Sequence, residues 1–242
     1  MRRFLITAVV LILIIGVGVF AMDRAVAAYA EDQIKQQTVA EVARRGMSSG
    51  EPSVDVGGFP FFTEVVSGEY DQIVIVLPDL KGQGITLPKF ALTASGVNAP
   101  LDALRSGEGT ITADKITGTA VVPWDVVVKQ TKFKDLTLSA DPDGTLKVAG
   151  EATLGGFSIP LTGKAKVTLA GPTKLRVQVT DLSGTDPNLN ALVKSLIAAY
   201  QDKLVFDVAL PKLPYDLKLQ KITATPDGLD LTAYAENVPL TQ

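Results

Sequence analysis

An α+β domain with an antiparallel sheet, carried behind an N-terminal transmembrane or signal helix, is the fold class this sequence predicts. Three observations predict it. A long apolar run opens the chain, alternating strands with tight turns fill most of the remainder, and the few helical segments do not alternate with strands as a parallel βαβ fold requires.

Phe4 to Met22 is apolar apart from Thr7 and two glycines. As a helix it reaches roughly 28 Å at about 1.5 Å per residue, close to the ~30 Å hydrocarbon core of a bilayer. Arg2 and Arg3 precede it and, by the positive-inside rule, stay in the cytoplasm while the rest is exported. Two readings of residues 1–27 stand. One is an uncleaved signal anchor; the other is a signal peptide cut after Ala25-Val26-Ala27 or Ala28-Tyr29-Ala30. The run exceeds a usual signal core, and the charged pair Asp23-Arg24 sits awkwardly before either cleavage site, which favours the anchor.

Residues 25–45 read as a polar helix ending at Gly46, with a thin apolar stripe of Val26, Ala30, Ile34 and Val42; residues 28–50 are then a helical stalk, with packing on the domain as the alternative. Residues 51–242 read as one α+β domain. It holds 20 of the chain's 27 Val and 20 of its 22 Thr, mostly in alternating runs, which is strand texture. Phe157 to Leu169 is the cleanest case: apolar or small residues hold the odd positions, and Ser158, Pro160, Thr162, Lys164, Lys166 and Thr168 hold the even ones. Gly171-Pro172 turns it into Leu175, Val177 and Val179, an antiparallel hairpin. Two more hairpins turn on Pro-Asp-Gly, at residues 141–144 and 225–228, because proline presets φ and the Asp-Gly pair supplies the left-handed position. Earlier strands are expected at Tyr70–Leu77, Ile85–Ser95 and Ile111–Val122. Helices are expected at Pro60–Val66, closed by Gly68, at Trp124–Gln130, where Val126–Val128 reads equally as strand, and at 187–203. The last is capped by Thr185 or Asp186 and presents Leu189, Leu192, Val193, Leu196, Ile197 and Tyr200 on one face.

Composition narrows the function. Hydrophobic residues are 46%, charged residues 20% and mean hydropathy is +0.25, which excludes a disordered chain. With neither cysteine nor histidine, disulfide frameworks, thiol nucleophiles, Ser-His-Asp triads and His-ligated metal sites are excluded. Past residue 27 the chain has 20 basic and 25 acidic residues, a net charge of −5, which argues against nucleic-acid binding. The pairs Asp141/Asp143 and Asp227/Asp230 sit on hairpin turns, where Asp is favoured for backbone reasons, and nothing places two carboxylates across a cleft. No catalytic residue, cofactor or metal is expected.

Four features in order carry a family resemblance. They are the N-terminal apolar segment with its polar helix; Gly58-Phe59-Pro60-Phe61-Phe62 leading to Gly68-Glu69-Tyr70 and an alternating strand; the mid-chain Pro-Asp-Gly hairpin; and Leu213-Pro214-Tyr215-Asp216-Leu217-Lys218-Leu219 followed by Pro226-Asp227-Gly228-Leu229. Together they resemble the actinobacterial LmeA-like phospholipid-binding proteins over roughly residues 20–240. The resemblance implies a strongly curved antiparallel sheet wrapped around the long amphipathic helix, similar to tubular BPI-like domains. It also implies a periplasmic, non-enzymatic role in assembling mannan-type envelope glycolipids. On that reading Phe61, Phe62, Val65, Val66, Trp124, Leu192, Leu196, Ile197 and Tyr200 line the acyl chains or the mouth of their groove, and the Phe59-Pro60-Phe61-Phe62 cluster is a pocket mouth or a membrane-dipping tip. Ordinary core is the competing and commoner role for each, since a lipid pocket and a core look alike in sequence. Lys129, Lys132 and Lys134 are head-group candidates against a solvated-face alternative. The expected partners are phospholipid, the cytoplasmic membrane through residues 4–22, and an envelope glycosyltransferase. A scaffolding protein that stabilises such an enzyme, with a filled core and no ligand, is the alternative.

Overall fold

The apolar run and the polar segment after it form one unbroken helix, α1 (Arg2–Arg44). The computed structural model describes residues 2–82, 84–106, 109–129, 136–154, 157–184, 195, 205–209 and 214–240, with side chains from Gly16 onward in α1 and outside residues 152–158, 206, 208, 209 and 214. Among the described residues no helix is long and apolar enough to cross a membrane; most side chains of the run 4–22 lie outside that description. The predicted helix 187–203 also lies outside the described residues, apart from Ser195, which is helical.

Strands follow the alternation. In chain order they are β1 (Ser53–Val56), β2 (Glu69–Gly82), β3 (Ile85–Asn98), β4 (Thr112–Pro123), β5 (Thr137–Ala140), β6 (Leu146–Leu154), β7 (Phe157–Leu169), β8 (Lys174–Gly184), β9 (Val205–Ala209), β10 (Lys218–Thr225) and β11 (Gly228–Pro239). Short helices α2 (Phe61–Ser67), α3 (Leu101–Ser106) and α4 (Trp124–Lys129) interrupt them, with a 3-10 turn at Pro214–Asp216. One sheet runs β1-β2-β3-β4-β11-β10 and the other β5-β6-β7-β8-β9. β2 and β3 run longer than the alternation predicts, and β4 is shifted one residue toward its C-terminal end. Ladder hydrogen bonds carry strands past the points where the hydrophobic alternation weakens. β1, β9 and α3 are not announced by the sequence; four to six residues are too few for a period to declare itself.

The chain folds into two compact units. The first comprises Met1–Leu77, Leu92–Ile116 and Glu236–Gln242. In it α1 packs on β1 and on α2, and the polar segment is thus more than a free stalk. The buried stripe is Asp23, Ala27 and Val42, with Ala30, Ile34 and Thr38 half-buried or on its margin between them. This is helical i, i+3/i+4 spacing, but Val26, read as part of the stripe, points outward. Gly68 ends α2 in the left-handed conformation (φ 73°), its N–H bonded to Glu64 O at 2.8 Å, and Ala99 N–H then bonds Gly68 O at 2.7 Å.

The second unit comprises Pro78–Ala91 and Thr117–Ala235. Here the predicted hairpins form in register: β7 pairs with β8 through Val167↔Val177 and Leu169↔Leu175. Ile159, Leu161 and Ala165 of β7 are buried while Thr162, Lys166 and Thr168 point the other way, as the period of two requires. The first Pro-Asp-Gly turn closes β5–β6, with Asp141 N–H to Thr145 O at 2.8 Å and Gly144 N–H to Asp141 O at 3.0 Å. The second closes β10–β11, ending in the pair Thr225↔Gly228.

Candidate functional site

The helix α2 is built inside out. Phe61 points into the first unit, 1% exposed, its ring 6.0 Å from that of Tyr70. Glu64, the only charged residue of α2, is also buried. Phe62 and Val66, one helical turn apart, are 63% and 69% exposed, and Thr63 and Ser67 beside them are uncharged. Val65 is half-buried. The four α2 candidates therefore divide between the core and the surface.

Pro60 precedes α2 and has no side chain able to cap it. The cap comes from α1 instead. Asp23 Oδ1 accepts the Phe62 N–H at 2.9 Å, satisfying one of the donors that every helix start leaves open. Arg24 Nη2 donates to Asp23 Oδ2 at 3.0 Å and to Gly58 O at 2.8 Å. Burial pushes the Asp23 carboxyl up, but the N–H groups of Phe62 and Phe61 and the Arg24 guanidinium together outweigh it and hold it below the usual range. The charged pair that sits awkwardly in the sequence is thus the clasp between α1 and α2. Its signal was there to be read: two charges directly after an apolar run, and a later short helix with no cap of its own.

Glu64 completes the cluster. Its Oε1 accepts Asp71 N–H at 3.3 Å, while Oε2 and the nearby Arg24 Nε are buried without a protein partner. Burial pushes its carboxyl pKa up, against the Asp71 N–H bond. The folded chain then holds the Glu64 proton at pH values where the unfolded chain has lost it. Stability from this group is highest below the ordinary carboxyl pKa of 4.5 and falls as pH rises through the raised folded value. Glu64→Gln, which keeps the accepting oxygen and removes the charge, is expected to raise Tm at pH 7 and to flatten that fall; thermal melts of both proteins between about pH 4.5 and 7.5 check it.

The remaining candidates lie in the second unit or outside the described residues. Trp124 opens α4, half-buried, and its indole Nε1–H donates to Pro226 O at 3.2 Å. Lys129 is exposed and pairs with Asp125 one turn back at 3.0 Å, an ordinary solvated helix pair. Lys132, Lys134, Leu192, Leu196, Ile197 and Tyr200 fall outside the described residues. The carboxylates of the first Pro-Asp-Gly turn serve the fold: Lys164 bridges Asp141 at 2.8 Å and Asp143 at 2.6 Å, and holds both below the usual carboxylate range. Among the described residues no group of acids is arranged to hold a metal ion. An open cleft of about 440 Å³ between α1 and β1 is lined by Glu31, Asp32, Lys35 and Glu51 among others, chemistry unsuited to an acyl chain.

A family model of LmeA-like phospholipid-binding proteins matches residues 21–234. The chain belongs to this family. Membership in the LmeA-like family makes phospholipid the supported ligand class. The match begins two residues before Asp23, so the clasp lies within the part of the chain that the family shares. No curated protein and no solved structure matches the chain.

Proposed function

We propose that this protein is anchored by residues 4–22 in the cytoplasmic membrane and holds phospholipid acyl chains on the outer side. The chains would lie in an apolar groove between a strongly curved antiparallel sheet and the amphipathic segment 187–203. The protein would there support assembly of mannan-type envelope glycolipids, beside a glycosyltransferase. The family match over residues 21–234 carries this reading. Long strands with one apolar face support it, since β7 alone buries Ile159, Leu161 and Ala165. So does the thermodynamics of the ligand: at about 0.8 kcal/mol per buried methylene, a sixteen-carbon chain offers on the order of 10 kcal/mol before ordering costs. No charged clamp is required, and polar groups at the mouth would select the head group. The clasp favours an uncleaved anchor, because a cut after Ala27 or Ala30 would remove Asp23 and Arg24 from the fold that uses them.

Native mass spectrometry of residues 21–242, purified without detergent, tests the reading; this span keeps Asp23. A co-purified phospholipid mass is expected. It should be lost in Leu196→Asp or Ile197→Asp while circular dichroism remains that of the folded protein. A folded protein with no bound mass, unable to take phospholipid from vesicles, would overturn lipid binding and leave the scaffolding role in its place.

A further inference from the structure

Most short amphipathic helices turn aromatic residues inward and acids outward. α2 does the reverse at three positions, burying Glu64 and exposing Phe62 and Val66. Such a face needs a cover of its own chemistry, and its position along α1 says which.

Three contacts fix that position. The Phe20 ring lies 5.6 Å from that of Phe59, which is itself 62% exposed. Asp23 holds the first turn of α2 through the Phe62 N–H, and Arg24 holds Gly58 O. Residues 58–62 are therefore tied to residues 20, 23 and 24 of one continuous helix. Phe20 stands two residues inside the end of the apolar run, about 3 Å along the axis at 1.5 Å per residue. Asp23 is the first residue beyond it. The acid that would resist a lipid surface at this level is buried and neutralised by Arg24, whose guanidinium also lies 5.9 Å from the centre of the Phe59 ring. At an interface, aromatic rings and an arginine are the side chains that sit at head-group depth.

We infer that Phe59, Phe62 and Val66 form a contact with the outer interfacial layer of the bilayer that holds residues 4–22, so that the first unit rests on the lipid surface. This rests on the anchor reading above. A protein partner is disfavoured by level: the patch is tied to the end of the apolar run, where lipid head groups are the surroundings. The contact would bring the family's ligand within reach at its source.

Full-length protein with Trp124→Phe, reconstituted in phosphatidylethanolamine–phosphatidylglycerol vesicles doped with brominated phosphatidylcholine, tests it. Each of Phe62→Trp, Val66→Trp and Ile12→Trp then supplies the single tryptophan. Phe62→Trp is expected to lose roughly half its emission to bromine near the head-group end of the chain, at the ~5–10 Å depth of interfacial residues, and less to bromine at the chain end. Ile12→Trp should show the opposite order. If Ile12→Trp is quenched but neither Phe62→Trp nor Val66→Trp is, the contact is refuted and the anchor stands. If none is quenched, both fall. If only the α2 probes are quenched, the lipid contact holds and the anchor is refuted.

Discussion

Phe61→Ala is expected to lower the unfolding free energy by about 3–5 kcal/mol, the usual cost of deleting a fully buried aromatic ring and leaving a cavity. Phe61 is 1% exposed and packs on Tyr70, with the clasped first turn of α2 preventing collapse around the void. The neighbouring Phe62→Ala, at an exposed position, is expected to change stability by less than about 0.5 kcal/mol. Urea titration of residues 21–242 followed by circular dichroism checks both. The contrast separates two roles that adjacent, identical side chains play. One holds the fold, and the other faces outward, where its loss leaves the core packed. Equal effects of the two substitutions would contradict the inside-out orientation of α2.

Gly228→Ala is the second large effect expected, about 3 kcal/mol of destabilisation, the upper range for forcing an atom into a packed site. A Cβ there would stand 2.2 Å from Val122 O and 2.9 Å from Pro123 Cα, and both are backbone, so neither yields cheaply. The equivalent glycine of the first Pro-Asp-Gly turn, Gly144, has nothing within 4 Å of its Cβ position. Gly144→Ala meets only the left-handed backbone (φ 82°) and is expected to cost about 1 kcal/mol. Trp124 is a natural reporter, since its indole bonds Pro226 O on the very turn that Gly228→Ala displaces. Its emission maximum should shift in the folded Gly228→Ala protein and stay unchanged in Gly144→Ala. A stability loss equal in the two variants would mean that the close approach to Val122 does not restrain the turn.

Much of the architecture was legible because hydrophobic periodicity is a local signal. β7 and β8 alternate over enough residues for the period of two to be unmistakable, and both Pro-Asp-Gly turns close the hairpins they announce. α4 was only half legible: Pro123 marks a helix start, but Val126–Val128 reads equally as strand, and the folded chain decides for helix. β1 and β9 were not, because four or five residues have no period and form only when a neighbour offers a ladder. The site was legible in composition and not in direction. Phe59-Pro60-Phe61-Phe62 stands out as an aromatic cluster, yet no sequence rule says which rings turn inward when the short helix they open is capped from elsewhere.

The sequence by itself determined the apolar N-terminal run, the antiparallel hairpins, the absence of thiol and imidazole chemistry, and the family. Each of these depends on residue type and short-range order. Only the tertiary structure decided that Asp23, 39 residues before Phe62 in the chain, caps α2. It alone made Phe61 core and Phe62 surface, and set two identical Pro-Asp-Gly turns in unlike surroundings. The reason is common to all three: caps, burial and close approach belong to pairs of groups distant in sequence, and the energy of such a pair exists only once the chain has brought them together.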